Sequence, residues 1–263
     1  MDPLTLVAAL AAGAAIGLVL GLVGGGGSIL AVPLLVYLVG VSSPHAAIGT
    51  AAVAVALNAA ASLAGHARAG NVKWPCALVF AGAGIAGALI GAEAGKAMDG
   101  SKLLALFGVL MIAVGTMMLR RRRGDEDPAV RLTRASAGHL LPRLVPAGLG
   151  VGLLAGFFGI GGGFLIVPAL LAATHMPIGV AIGTSLVVVT ALGASTAASY
   201  ALSGYVDWTL VGLMTLGGVA GAIPGQWASR RLGSKKRLLN AGFAALVIAT
   251  GIYILAQGAA HLW

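Results

Sequence analysis

The chain predicts an all-α integral membrane fold built from two homologous, inverted repeats. Three observations carry that expectation: an apolar composition, charges confined to a few short windows, and an internal duplication. Of 263 residues, 59% are hydrophobic and 9% charged, with a mean hydropathy of +1.01, whereas soluble domains carry about 25% charged residues. Glycine supplies 42 residues without the period of collagen or the polar filler of a linker, so it belongs inside packed membrane helices or at breaks in them. The lone Cys76 excludes an internal disulfide and any CxxC or CxxH metal or redox site.

Charges divide the chain into elements. Charge-free stretches run over 3–67, 74–92, 103–119, 144–206, 208–229 and 238–263, and a crossing helix needs about 20 apolar residues. Eight apolar segments follow, at about 4–39, 46–65, 75–94, 102–119, 144–174, 178–201, 209–228 and 238–256. The first is a retained helix rather than a cleaved signal, because it lacks a basic start and a near copy of it sits in mid-chain. Its length, and that of 144–174, exceeds one crossing. Each of these two segments is therefore expected as two pieces, giving about ten helical pieces in all.

The duplication fixes the organisation. GLVGGGGSILAVP at 21–33 aligns with GFFGIGGGFLIVP at 156–168, and AAIGTA at 46–51 aligns with VAIGTS at 180–185. GNVKW at 70–74 matches GYVDW at 204–208, while Gly84, Gly87 and Gly91 match Gly218, Gly221 and Gly225. Upstream, Gly13, Gly17 and Gly21 match Gly148, Gly152 and Gly156. These GxxxG rows read as close helix contacts. Residues 1–119 form the first repeat, 120–143 a basic linker and 144–263 the second repeat.

Short loops rich in Lys and Arg face the cytoplasm. The linker carries Arg120 to Arg123, Arg131, Arg134 and Arg143, and the loop after the seventh segment carries Arg230, Arg231, Lys235, Lys236 and Arg237. Both lie inside only if each half crosses an odd number of times, which is the arrangement of inverted repeats.

Gly24–Gly27 and Gly159–Gly163 are the sharpest local signals, since a run of glycine costs about 1 kcal/mol per residue in a helix. Broken backbone at membrane depth survives only when buried in protein or lining a watery cavity. The pieces that restart beyond each break present free N–H groups and a positive dipole end, an anion-binding arrangement. Gly25, Gly26, Gly27 and Ser28 in the first half, and Gly161, Gly162 and Gly163 in the second, are thus the expected substrate contacts.

The doubled glycine motif, each copy followed by IGT and then G-x-V-x-W, resembles the sulfite exporter TauE/SafE family of membrane permeases. The resemblance spans nearly the whole chain apart from the linker and last residues. It implies transport of small sulfur-containing anions such as sulfite, sulfoacetate or other organosulfonates, without a bound cofactor. Ser28 stands where the second half has Gly163, and His66 where it has Tyr200, so the halves differ chemically.

Other polar residues at membrane depth have two readings each. Thr50, Thr184 and Ser185 open the helices after the IGT turn and either donate hydroxyls to an oxyanion or cap a helix. Asn58, Ser62, Ser195, Thr196 and Ser199, further along the same helices, read as interhelical bonds, with a ligand role as the alternative. His45 and His175 are candidates for proton coupling, histidine being the side chain most suited to exchanging a proton at physiological pH, with an interfacial position as the alternative.

Enzyme signatures are absent: GAGIAG at 82–87 lies within a membrane helix, and there is no P-loop, HExxH or GxSxG. The basic linker reads as a topology signal touching anionic lipid rather than nucleic acid. The expectation is a secondary transporter of the cell membrane, with a small anion and the bilayer as partners and alternating access between the halves. A passive anion channel built on paired half-helices is the alternative, and a homodimer is left open.

Overall fold

The computed structural model describes residues 3–23, 25–120, 130–159, 163–231 and 236–260, and every regular element among them is helical. α1 spans Pro3–Val23. The piece after the first break, α2, is a composite of a 3-10 turn at Gly25–Leu30, an α turn at Ala31–Pro33 and a π turn at Leu34–Leu38. α3 (Pro44–Arg68), α4 (Trp74–Lys96) and α5 (Gly100–Arg120) complete the first half. The second half repeats the order with α6 (Arg134–Phe158), α7 (Gly163–Thr174), α8 (Ile178–Leu202), α9 (Trp208–Arg231) and α10 (Lys236–Ala260). Ten helical pieces are thus present among the described residues.

Two differences from the sequence expectation have local causes. The glycines leave α2 too weak to hold a regular α-helix, and Pro33 has no N–H to continue one, so the chain tightens before the proline and widens after it, with Val39 N–H donating to the Leu34 carbonyl (2.9 Å). α6 starts inside the expected linker, ten residues before the apolar window. A capping box explains this: Ser136 N–H donates to Thr133 Oγ1 (3.3 Å) and Thr133 N–H to Ser136 Oγ (2.9 Å).

Among the described residues, seven helices are long and apolar enough to cross a membrane: α1, α3, α4, α5, α6, α8 and α9. Their outer faces carry exposed Leu78, Ile90, Leu216 and Ile223, the side chains that lipid would cover. α7, at 12 residues and 1.5 Å per residue, extends about 18 Å, short of the ~30 Å hydrocarbon layer.

Packing exchanges elements between the halves. The two most extensive interfaces are α1 on α9 and α4 on α6, each pairing the first helix of one half with the fourth of the other. Glycine sets both. A methyl group at Gly17 would fall on the Gly218 carbonyl, and one at Gly152 on the Gly84 carbonyl, so the GxxxG rows are backbone contacts, as their spacing predicts.

Contact order along these interfaces gives the helix directions. Gly13, Gly17 and Gly21 meet Met214, Gly218 and Ala222, so α1 runs with α9; Gly148, Gly152 and Gly156 meet Phe80, Gly84 and Ala88, so α6 runs with α4. α3 runs with α9 as well, since Asn58 touches Gly218 and Gly65 touches Gln226. α1 and α3 are therefore parallel, and the short α2 must return between them. By contrast α3 opposes α8, with Gly49 at Tyr200 and Gly193 at Ala56. α5 likewise opposes α10, with Gly108 at Gly251 and Gly115 at Ala244 and Ile248. α3 and α8 form the centre and are the most buried of the long helices.

Candidate functional site

The pieces that follow the two breaks meet. α7 packs against the Gly25–Leu30 turn of α2, and that turn also touches α1, α3 and α8. Gly27 and Ser28 are fully enclosed, as are Ile29, Ala31 and Val32 beyond them. A methyl group at Gly27 would come within 2.7 Å of the Ile16 carbonyl and the Leu20 nitrogen of α1, so this glycine lets the broken piece lie directly on its own preceding helix. Gly25 and Gly26 open the 3-10 turn. In the second half α6 ends at Gly159, a left-handed residue (φ 63°) whose N–H turns back to the Gly156 carbonyl (3.1 Å), and α7 opens at the buried Gly163. Gly24, Gly161, Gly162 and the 121–129 stretch of the linker lie outside the described residues.

The IGT and G-x-V-x-W motifs meet across the halves, a relation their spacing alone does not disclose. A methyl group at Gly49 would fall on the Tyr205 carbonyl, and one at Gly183 on the Asn71 carbonyl. Beside them, Asp207 N–H donates to Thr50 Oγ1 and Lys73 N–H donates to Thr184 Oγ1, both at 3.0 Å. Each threonine thus serves the start of the other half's fourth helix. α9 has a further cap, because Asp207 Oδ1 accepts from Thr209 and Leu210 N–H at 2.9 and 3.1 Å. Lys73 offers no side-chain acceptor, so α4 depends more heavily on Thr184.

That asymmetry sets an expected result. Thr184→Val should lower stability by about 1–2 kcal/mol, the cost of an orphaned partly buried N–H, and Thr184→Ser should restore it. Thermal unfolding with and without a bound anion checks this: a variant that keeps its stability but loses anion binding would make Thr184 a ligand instead of a cap.

The remaining polar residues separate into partnered and unpartnered groups. Ser185 Oγ donates back to the Ile182 carbonyl (2.7 Å) and Ser195 Oγ to the Ala191 carbonyl (3.0 Å). Ser199 Oγ donates to Glu93 Oε1 (3.1 Å), which also pairs with Lys96 (2.7 Å), and Lys96 reaches Ser203 Oγ (3.0 Å). This network ties the end of α4 to α8. Asn58 Nδ2 donates to the Met214 carbonyl (3.3 Å), bridging α3 and α9. Ser62 Oγ and Thr196 Oγ1 are buried without a hydrogen-bond partner among the described residues. The sequence leaves these two between interhelical bond and ligand; only their geometry sets them apart from Ser195 and Ser199.

His45 sits in the first turn of α3, half-buried, with its ring centroid 5.5 Å from that of Tyr205. His175 is exposed and left-handed (φ 55°), closing α7 through an N–H bond to the Leu171 carbonyl (3.0 Å). The two are not equivalent positions in the duplication.

Comparison with known proteins agrees with this architecture. The family model described as sulfite exporter TauE/SafE matches residues 9–254. A "Probable membrane transporter protein" of Xylella fastidiosa (strain Temecula1) is 45% identical over 262 residues, covering 98% of each chain. "Probable membrane transporter protein YunE" of Bacillus subtilis is 28% identical over 230 residues, covering 81% of each. No solved structure matches. With nearly its whole length inside the family model and seven membrane-length helices among the described residues, the chain belongs to the sulfite exporter TauE/SafE family and is a multi-pass membrane transporter, not an enzyme.

Proposed function

We propose that this transporter moves a small sulfur-containing oxyanion, such as sulfite, sulfoacetate or another organosulfonate, by alternating access between its two halves. The observation that carries the reading is the packing of α7 against the Gly25–Leu30 turn, which brings the piece that restarts after one break onto the turn that follows the other. Backbone N–H groups left free where a helix restarts, reinforced by the helix dipole, favour negative charge, and glycine admits close approach of the ligand. Gly25, Gly26, Gly27 and Ser28 contribute on one side; Gly161, Gly162 and Gly163 contribute on the other. Thr50, Thr184 and Ser185 support the frame around them, Thr50 and Thr184 through the cross-half bonds. The printed description of the matching family supports the sulfur chemistry.

Inversion of the halves is supported by helix direction. Equivalent helices oppose one another in both the α3–α8 and α5–α10 pairs, as a two-fold axis in the membrane plane requires. The basic linker and the Arg230–Arg237 loop then share the cytoplasmic face. Alternating access follows from the same exchange, because tilting one half against the other opens each side in turn. His45 and His175 are the groups through which protons would couple to flux.

Thermal unfolding of the purified protein against sulfite, thiosulfate, sulfoacetate, taurine, sulfate and chloride tests the substrate class, since a ligand of the folded state stabilises it by RT ln(1 + [L]/Kd). A rise confined to sulfur oxyanions or sulfonates is expected, about 2.7 kcal/mol at a hundredfold excess over Kd. A rise with chloride alone, or with none of the six, would sink the assignment.

A further inference from the structure

We infer that the hydroxyls of Ser62 and Thr196 are the side-chain donors that meet the transported anion beside the two helix breaks, one from each half. The inference rests on the anion-transport reading above and names residues of the same site.

Its basis is an unusual choice of hydrogen bonds. Serine and threonine in helices ordinarily donate back to a carbonyl one turn earlier. Thr190, Ser195 and Ser203 of this chain do so, all near the same central helices, at 2.7, 3.0 and 3.1 Å. Ser62 and Thr196, like Thr215 of α9, decline that local option. Ser62 is 1% exposed and Thr196 fully buried, and neither hydroxyl has a partner among the described residues. An unsatisfied hydroxyl in a membrane interior is costly, and a random lapse would not recur at the same place twice. Ser62 and Thr196 are equivalent positions of the duplication, 134 residues apart, as are Thr50 and Thr184.

Their surroundings point to the breaks. Ser62 lies on α3 between Asn58, which touches Gly218, and Gly65, which touches Gln226. The same stretch of α9 receives the last turns of α1, with Gly17 on Gly218 and Gly21 on Ala222 and Gln226. Ser62 therefore stands level with the end of α1, where the chain breaks. Thr196 lies on α8 between Leu192, which meets Gly84, and Ser199, which bonds Glu93. The matching stretch of α4 receives Gly152 and Gly156, the last turns of α6 before the second break. One turn from Ser62, Asn58 holds its amide nitrogen on the Met214 carbonyl while its Oδ1 is left without a partner. That amide orients the wall rather than the anion, since an oxygen acceptor repels an oxyanion.

A hydroxyl held free of the backbone keeps its proton for a visiting acceptor. Two such donors, one level with the end of α1 and the other level with the end of α6, offer an oxyanion a side-chain contact at either break. Loss of a hydrogen bond to a charged ligand weakens binding about tenfold or more.

The test uses full-length protein reconstituted in liposomes, with sulfite flux as the readout and thermal unfolding alongside it. Ser62→Ala and Thr196→Val should each raise the KM for sulfite at least tenfold while leaving the unfolding midpoint unchanged or higher, since no internal bond is lost. Thr196→Ser should keep the wild-type KM, and Ser195→Ala, which removes a hydroxyl already bound to the backbone, should change nothing. Unchanged KM in both Ser62→Ala and Thr196→Val, with wild-type flux intact, overturns the inference and leaves the transport reading standing. So does a fall in the midpoint that accounts for the lost flux, which would make the hydroxyls structural. Wild-type protein that moves neither sulfite nor sulfoacetate overturns both.

Discussion

Gly152→Val is expected to destabilise the folded protein by about 3 kcal/mol or more, and Gly17→Val, its equivalent in the other half, by a similar amount. At each site the new Cβ would land on main chain: the Gly84 carbonyl for Gly152, the Gly218 carbonyl for Gly17. A backbone oxygen cannot rotate aside as a side chain can, so relief requires the helix axes to separate. Separation is severe here because lipid gives no hydrophobic drive to push helices together again; close van der Waals packing is what holds them. α4–α6 and α1–α9 are the largest interfaces of the fold, and both join one half to the other. The control lies two residues away. Gly150, on the same helix, is exposed and has open space where a Cβ would go, so Gly150→Val should stay within about 0.5 kcal/mol of the parent. Thermal unfolding in detergent compares them directly. Equal midpoints for Gly150→Val and Gly152→Val would show that the glycine rows do not hold the halves together.

That contrast also shows how far the residues speak before any coordinates are known. The GxxxG rows announce close contacts, since small residues every fourth position have little other use in a membrane helix. The pairing of partners is not announced. Gly17 could equally meet a neighbour in its own half, and only the fold shows it crossing to Gly218. Likewise the IGT and G-x-V-x-W motifs are legible as repeats, yet the exchange of Thr50 with Asp207 and Thr184 with Lys73 is a relation between residues 157 and 111 positions apart. Sequence periodicity carries information over a few turns and none over such separations. The start of α6 is missed for a different reason: charge ends an apolar window, but a capping box can carry a helix out of it. At the site the glycine runs are plain and the two free hydroxyls are not. Ser62 and Ser195 look alike as letters; what separates them is which carbonyl, if any, each one reaches.

Gly159→Ala should abolish transport while the protein remains inserted, through two costs that can be measured apart. The first is conformational. Gly159 ends α6 at φ 63°, and an L-residue in that left-handed region costs about 1–2 kcal/mol. The second is steric, because the added methyl would fall on Cγ2 of Ile48, which is 1% exposed in the core of α3. Either the left-handed turn unwinds or α3 moves; in both cases α7 shifts from its seat on the Gly25–Leu30 turn. Gly159→Asn separates the costs, since asparagine tolerates the left-handed region better than alanine but keeps the collision with Ile48. Ile48→Ala removes the collision and keeps the strain. The double variant Gly159→Ala/Ile48→Ala should therefore be more stable than the sum of its singles predicts, by about 1 kcal/mol, as residues in contact are. Transport should recover only in part, because the left-handed alanine still resists the turn that α7 needs. Strict additivity together with wild-type flux in Gly159→Ala would mean that the second break tolerates a side chain. The close fit between α6, Ile48 and α7 would then have no part in holding the two broken helices in register.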